Sequence, residues 1–195
     1  VANIMASRNI LTKEDAQEYF NVNIKKMHNP FLLPDIKPAI ERLNKAIDNN
    51  EKIFVWGDYD VDGVTATSVI VTSLNLLGAN IEYKVPHRME DGYDIKKHSV
   101  DEALIRNADL MLSVDCGIVA FETAEYAKEK GLDLIITDHH HPSEDGKIPD
   151  CIGVVNPNRD DPNYPGHLFT NESNKDFVRY PFDALAGVGI AFKVM

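Results

Sequence analysis

Cysteine is scarce in this chain, with only Cys116 and Cys151 among 195 residues. Neither belongs to a C-x-x-C pair. That excludes a zinc ribbon or a dithiol redox motif and fits two reduced thiols in a cytoplasmic protein. Long apolar runs are also missing. Stretches such as Leu132 to Ile136 fall far short of the ~18 residues that a membrane span needs. No basic-then-apolar segment opens the chain. Basic charge is in deficit: 20 Lys and Arg stand against 31 Asp and Glu, a net charge of −11. Simple sequence-independent nucleic-acid binders are usually basic, so the balance argues against one. Carboxylates gathered around divalent cations count for less in that argument, because the metals neutralise them. Internal repeats and low-complexity tracts are absent.

What is present is ordinary for a globular protein: 44% hydrophobic and 26% charged residues. That composition excludes disorder across the whole chain. A chain of this length buries roughly 70% of its unfolded surface and needs no disulfide or metal to fold. It starts at Val1 and stops at Met195, inside the apolar stretch Ala184 to Met195, which lacks a C-cap. The expectation is a fragment of a longer protein.

Thr12 reads as the cap of a short helix, with Asp15 closing an approximate capping box. Pro30 and Pro34 punctuate a loop. Ile36, Ala39, Ile40, Leu43, Ala46 and Ile47 recur at helical spacing, which predicts an amphipathic helix over 36–49. Residues 1–50 thus form a helical lead. Beyond it the pattern alternates. Strands are expected over 52–56, 81–85, 110–114, 132–137 and 151–155. Helices are expected over 65–77, 100–108, 120–130 and 184–195. Such alternation predicts an α/β fold, a Rossmann-like, doubly wound, mainly parallel five-stranded sheet over 51–195. Residues 156–181, rich in Asn, Asp and Pro, read as a loop or insertion.

The informative feature is where the acids fall. Asp58, Asp60 and Asp62 follow the first strand, and Asp115 follows the third. Asp138, His139, His140 and His141 follow the fourth. Turns favour Asp in any protein, yet in open α/β sheets ligands bind outside the carboxyl ends of the strands. Two carboxylates ~5 Å apart repel by roughly 3 kcal/mol at an effective dielectric of 20. Several such pairs call for a compensating cation or raised pKa values. Asp and His without thiolates suit Mn²⁺ or Mg²⁺, with Zn²⁺, Fe²⁺ or Co²⁺ also open. Two ions sharing a carboxylate form a common centre for phosphate-ester hydrolysis. In a straight strand Asp58 and Asp62 would lie ~13 Å apart, so the segment must curl, and Gly63 permits the turn. The D-x-D-x-D-G order also opens an EF-hand loop, but its twelfth position is Val69 rather than Glu, and a strand precedes it.

Gly57-Asp58-Tyr59-Asp60-Val61-Asp62-Gly63-Val64-Thr65-Ala66-Thr67 resembles the first motif of the DHH phosphoesterases, in the form seen in their RecJ-type single-strand-specific exonuclease branch. Ser113-Val114-Asp115-Cys116-Gly117-Ile118 is similar to the second motif, and Thr137-Asp138-His139-His140 to the third. The resemblance extends to Val85-Pro86-His87-Arg88, Asp91-Gly92-Tyr93, Val155-Asn156-Pro157-Asn158 and Leu185 to Phe192. It implies metal-dependent phosphodiester hydrolysis with two Mn²⁺ or Mg²⁺ ions. The implied substrate is single-stranded DNA, degraded from the 5′ end, in a setting of DNA repair and recombination shared with other repair proteins. By the same resemblance Asp60, Asp62, Asp115 and His139 are metal ligands, with Asp115 bridging. Asp58 lies in or beside the shell, His140 contacts metal or the scissile phosphate, and Asp138 orients a histidine. Water is the nucleophile, so no side chain attacks.

The sequence also departs from the family pattern. A fourth motif and the DHHA1 domain are not in the chain, which leaves open an incomplete metal site and weak activity alone. Asp94 stands where Gly is commoner, and His141 adds a third histidine without a metal role. Arg88 and His87 either hold a phosphate or form a solvated loop pair. Lys96, Lys97 and His98 either track a DNA backbone or start a solvated helix. Gly187 and Gly189 either bring amides to a phosphate or serve close packing. Trp56 and Tyr59 either stack on a base or, for Trp56, fill the core. Two other functions remain open: a DHH phosphoesterase acting on short oligonucleotides or small phosphorylated nucleotides, and a non-catalytic DHH scaffold.

Overall fold

The computed structural model describes residues 1–160 and 180–195. Three helices open the chain: α1 (Ala2–Ala6), α2 (Lys13–Phe20) and α3 (Ile36–Asp48). Strands and helices then alternate as β1 (Lys52–Trp56), α4 (Val61–Leu76), β2 (Asn80–Lys84), α5 (Lys97–Ile105) and β3 (Leu110–Val114). They continue as α6 (Phe121–Lys130), β4 (Asp133–Thr137), β5 (Gly153–Val155) and α7 (Gly187–Val194). The five strands form one sheet in the order β2-β1-β3-β4-β5, and every pair is parallel.

Parallel strands covered on both faces read as near-continuous apolar runs, and β3 (LMLSV) is buried at every position. Alternate residues feed two cores. Ile53, Val55, Leu110, Leu112 and Ile135 pack with α3, α4 and α7 on one face. Phe54, Trp56, Met111, Leu134 and Ile136 pack with α5 and α6 on the other. Burying each such side chain stabilises by about 1.5–3 kcal/mol. Trp56 is fully buried, as a core residue rather than a base platform. α3 belongs to the sheet's covering layer, with Ile36, Ala39, Leu43 and Ala46 buried. α1 and α2 bury no residue. The capping box expected at Thr12 is formed with Asp15.

Several boundaries differ from the sequence reading: α5 runs three residues earlier than expected, β2 one residue earlier, and β5 starts at Gly153 rather than Cys151. α4 starts at Val61, not Thr65, because the Asp60 carboxylate accepts the Gly63 amide at 2.9 Å and caps the helix early. α7 starts at Gly187 rather than Ala184. Most of the 156–181 loop expectation lies outside the described residues. No described helix is long and apolar enough to cross a membrane.

β1 runs through α4 to β2 on one side, and β2 runs through α5 to β3 on the other. The chain therefore reverses its winding direction between β1 and β3. Crevices at such reversals are where open α/β sheets bind ligands.

Candidate metal centre

The strand ends are in register, with Trp56 opposite Ser113, Val114 opposite Thr137 and Thr137 opposite Val155. The ladder continues one residue further. The Gly57, Asp115 and Asp138 amides donate to Lys84, Thr137 and Val155 carbonyls at 3.0, 2.8 and 3.1 Å. The acid-bearing turns thus leave adjacent strands at one level of the sheet edge.

Two groups of ligand atoms result, each within 4.8 Å: Asp58, Asp60 and Asp115, and Asp115, His139 and His140. Asp115 is common to both. It is 1% exposed, and its Oδ1 has no hydrogen-bond partner among the described residues. Its backbone sits in the left-handed region at φ +66°, a conformation that Asp tolerates better than most residues. His139 Nε2 lies 3.2 Å from Asp115 Oδ1 and 3.5 Å from Asp62 Oδ2. Burial, then the charges of Asp62, Asp60 and Asp138, push the Asp115 carboxyl up to about 8. Burial also raises Asp58, despite the opposing Tyr59 amide, and its Oδ1 is likewise buried without a partner. Carboxylate oxygens without hydrogen-bond partners, with ligand atoms within 4.8 Å of one another, beside imidazoles and without thiolates, are a donor set suited to Mn²⁺ or Mg²⁺.

The remaining site residues are placed as follows. Asp138 is 1% exposed and fully engaged. Its Oδ1 accepts the His139 amide at 2.7 Å, the His140 amide at 3.0 Å and His140 Nδ1 at 2.7 Å, and its Oδ2 accepts the Ile118 amide at 2.9 Å. Burial would raise this carboxyl, but those bonds hold it below the usual range. Its partner His140 is pushed up to about 9, chiefly by the Asp138 bond. With Nδ1 committed, His140 presents Nε2 outward, 3.4 Å from the Tyr93 hydroxyl. Asp62 is turned toward α7: its Oδ2 accepts the Gly187 amide at 2.7 Å and its Oδ1 the Val188 amide at 2.8 Å. Of the two readings of Gly187, the structure favours close packing: its amide is taken by a carboxylate, and a Cβ there would meet Asp115. Arg88 is exposed and outside both ligand groups, its guanidinium 5.4 Å from the Tyr59 ring centre. His141 and His87 are exposed. Cys116 is buried, which raises its thiol.

Several residues quoted in the sequence motifs, without a role assigned, contribute to the site. Asn156 and Asn158 side-chain amides donate to the His140 and His139 carbonyls, bracing the histidine turn from β5. Tyr93 packs edge-on to both Tyr59 and His140, with ring centres 6.5 and 6.2 Å apart. Asp94, at φ +69°, occupies the left-handed position that would suit Gly. Burial, then the charges of Asp138 and Asp58, raise it to about 6 against the amide of Ile95. The Asn pair lies within a motif quoted above, but its contact with the histidine turn is a tertiary fact.

The sequence from residue 52 to 195 matches the family model described as "DHH family, N-terminal domain". The chain belongs to the DHH family. Its DHH-family relatives include the single-stranded-DNA-specific exonuclease RecJ of Bacillus subtilis, 37% identical over 194 residues, 100% of this chain and 22% of the relative. The Escherichia coli protein of that name is 34% identical over 193 residues, 98% of this chain and 30% of the relative. The chain thus spans about a quarter of the length of these relatives. Among solved structures, exonuclease RecJ bound to manganese superposes with a TM-score of 0.64 at 33% identity, over 83% of this chain and 36% of that one. RecJ from Thermus thermophilus with Mn²⁺ also gives 0.64, at 28% identity, over 97% of this chain and 23% of that one. The DHH-family fold agrees with the all-parallel sheet described above.

Proposed function

We propose that this chain carries the catalytic centre of a metal-dependent exonuclease that hydrolyses single-stranded DNA from the 5′ end, using two Mn²⁺ or Mg²⁺ ions. The observation that carries the reading is the convergence of Asp58, Asp60, Asp115, His139 and His140 from three strand ends, with buried carboxylate oxygens lacking partners. The names of its relatives point the same way. Asp60, Asp62, Asp115 and His139 would hold the ions, with Asp115 shared, since it belongs to both ligand groups. Asp58 closes the first group. Bound ions would offset the gathered negative charge and polarise a phosphoryl oxygen.

The chain's own side chains do the rest. Asp138 fixes the tautomer and orientation of His140, a role that histidines at metal sites usually require. That bond raises His140 in the ion-free protein, and its Nε2, 3.4 Å from the Tyr93 hydroxyl, would offer an N–H to a phosphate oxygen. Arg88, carried on the loop after β2, offers a bidentate fork to a phosphate. On this reading the protein works in the cytoplasm, beside other DNA-repair proteins.

The test is hydrolysis of single-stranded DNA labelled at either end, with Mn²⁺, by this chain and by Asp115→Asn. Loss of label from the 5′ end that stops in the variant supports the proposal. Hydrolysis of dinucleotides alone moves it to small substrates. Mn²⁺ uptake with no cleavage of either substrate, by this chain and by one extended past Met195, contradicts it.

A further inference from the structure

We propose that the first turn of α7 is a positioning element of the metal centre, although it contributes no ligand. The inference rests on the metal-centre reading above and adds to it. The Gly187 and Val188 amides, which no helical carbonyl can satisfy at a helix start, donate to the two oxygens of Asp62 at 2.7 and 2.8 Å. Each oxygen keeps a lone pair for an ion. Asp62 is therefore fixed between α7 on one side and His139 on the other.

Gly187 acts a second time through what it lacks. A Cβ there would lie 2.2 Å from Asp115 Oδ1, 2.5 Å from Cγ and 2.8 Å from Cβ. The Asp115 side chain cannot retreat: it is short and buried, and its backbone is bound to Thr137 across the sheet. Gly187 does not have a positive φ, so the demand is for room and not for backbone freedom. Gly189 provides a contrast. A Cβ there would first meet the flexible end of Leu185, at 3.1 Å. One residue of α7 thus bears on two expected ligands, from the β1 and β3 ends. By reciprocity, ions that fix Asp62 must also fix α7.

The experiment titrates Mn²⁺ into this chain, Gly187→Ala and Gly189→Ala, reading free Mn²⁺ by electron paramagnetic resonance and folding by far-UV circular dichroism. We expect Gly187→Ala to keep its helix signal and to bind Mn²⁺ at least ~10-fold more weakly, as buttressing residues of metal sites commonly do. Gly189→Ala should match the parent. Equal Mn²⁺ affinity in Gly187→Ala and the parent overturns this inference alone, whereas a parent that takes up no Mn²⁺ overturns the metal-centre reading with it. If Gly187→Ala does not fold, hydrogen exchange of the parent decides. The Gly187 and Val188 amides should exchange more slowly with Mn²⁺ than with EDTA, and unchanged rates overturn the proposal.

Discussion

Asp115 and Asp138 are equally buried acids with opposite fates. Asp138 is surrounded by donors and held low, while Asp115 faces other carboxylates and is raised to about 8. A carboxyl raised in the folded state adds stability below its unfolded value, here 3.8, and that contribution is lost as pH rises through the folded value. His140, raised to about 9, acts in the same direction above 6.5. In EDTA the chain should therefore lose thermal stability from about pH 4 to 8 through Asp115, and from about pH 6.5 to 9 through His140. Asp115→Asn should flatten that slope and melt higher than the parent at the alkaline end. A parent melting point indifferent to pH would contradict the assignment. Asp138→Asn removes the charge that raises His140. Its imidazole titration, followed by NMR in EDTA, should fall from about 9 toward 6.5, and hydrolysis should drop at least ~10-fold.

Between residue and molecule lies the loop from β2 to α5, which carries Arg88 and Tyr93. Asp91 clamps it. Its Oδ1 accepts Lys84 Nζ at 3.0 Å and its Oδ2 accepts the His87 amide at 2.7 Å, while Lys84 also binds Glu102 of α5 at 2.7 Å. Asp91→Ala frees the loop without touching an expected ligand. KM for single-stranded DNA should rise about 10-fold while kcat changes less than about 2-fold. An equal fall in kcat would place Asp91 in the chemical step instead. The elements themselves were largely legible. β1 and β3 match their expected spans residue for residue, because buried parallel strands announce themselves as apolar runs between turns. α4 was misread by four residues because Asp58, Asp60 and Asp62 look like one loop, whereas Asp60 caps the helix and Asp62 rides in its first turn. The left-handed turn at Asp115 left no trace in the sequence. Nor did the grip of α7 on Asp62, a contact across 125 positions.

At the scale of the whole molecule the lead divides in two. Asp35 receives the Val154 amide at 3.1 Å and the Arg159 guanidinium at 2.5 Å, tying the start of α3 to β5. Leu33, Ile36, Ala39, Leu43 and Ala46 are buried beneath it. Removing residues 1–22 takes away α1 and α2, which bury nothing, and should leave the urea midpoint within the roughly 0.5 kcal/mol typical of surface changes. Removing residues 1–50 takes α3 off the face that it shares with α4 and α7, exposing part of that core, and should leave no cooperative unfolding transition. If the 1–50 deletion folds as well as the parent, α3 is dispensable and the boundary of the folding unit lies at residue 51.

The all-parallel sheet also bears on when the protein can act. Every pairing is parallel, so even consecutive strands such as β3 and β4 meet only after the connection between them has folded back, and β1 pairs with β3 across both β2 and α5. Pairings of this kind form slowly, because loop-closure entropy is spent before any contact rewards it. The acids after β1 and the histidines after β4 meet only when the central strands are already in register. A half-made chain emerging from the ribosome therefore carries the acids without the centre they form, and on the proposed reading it would not cut until the central strands had paired.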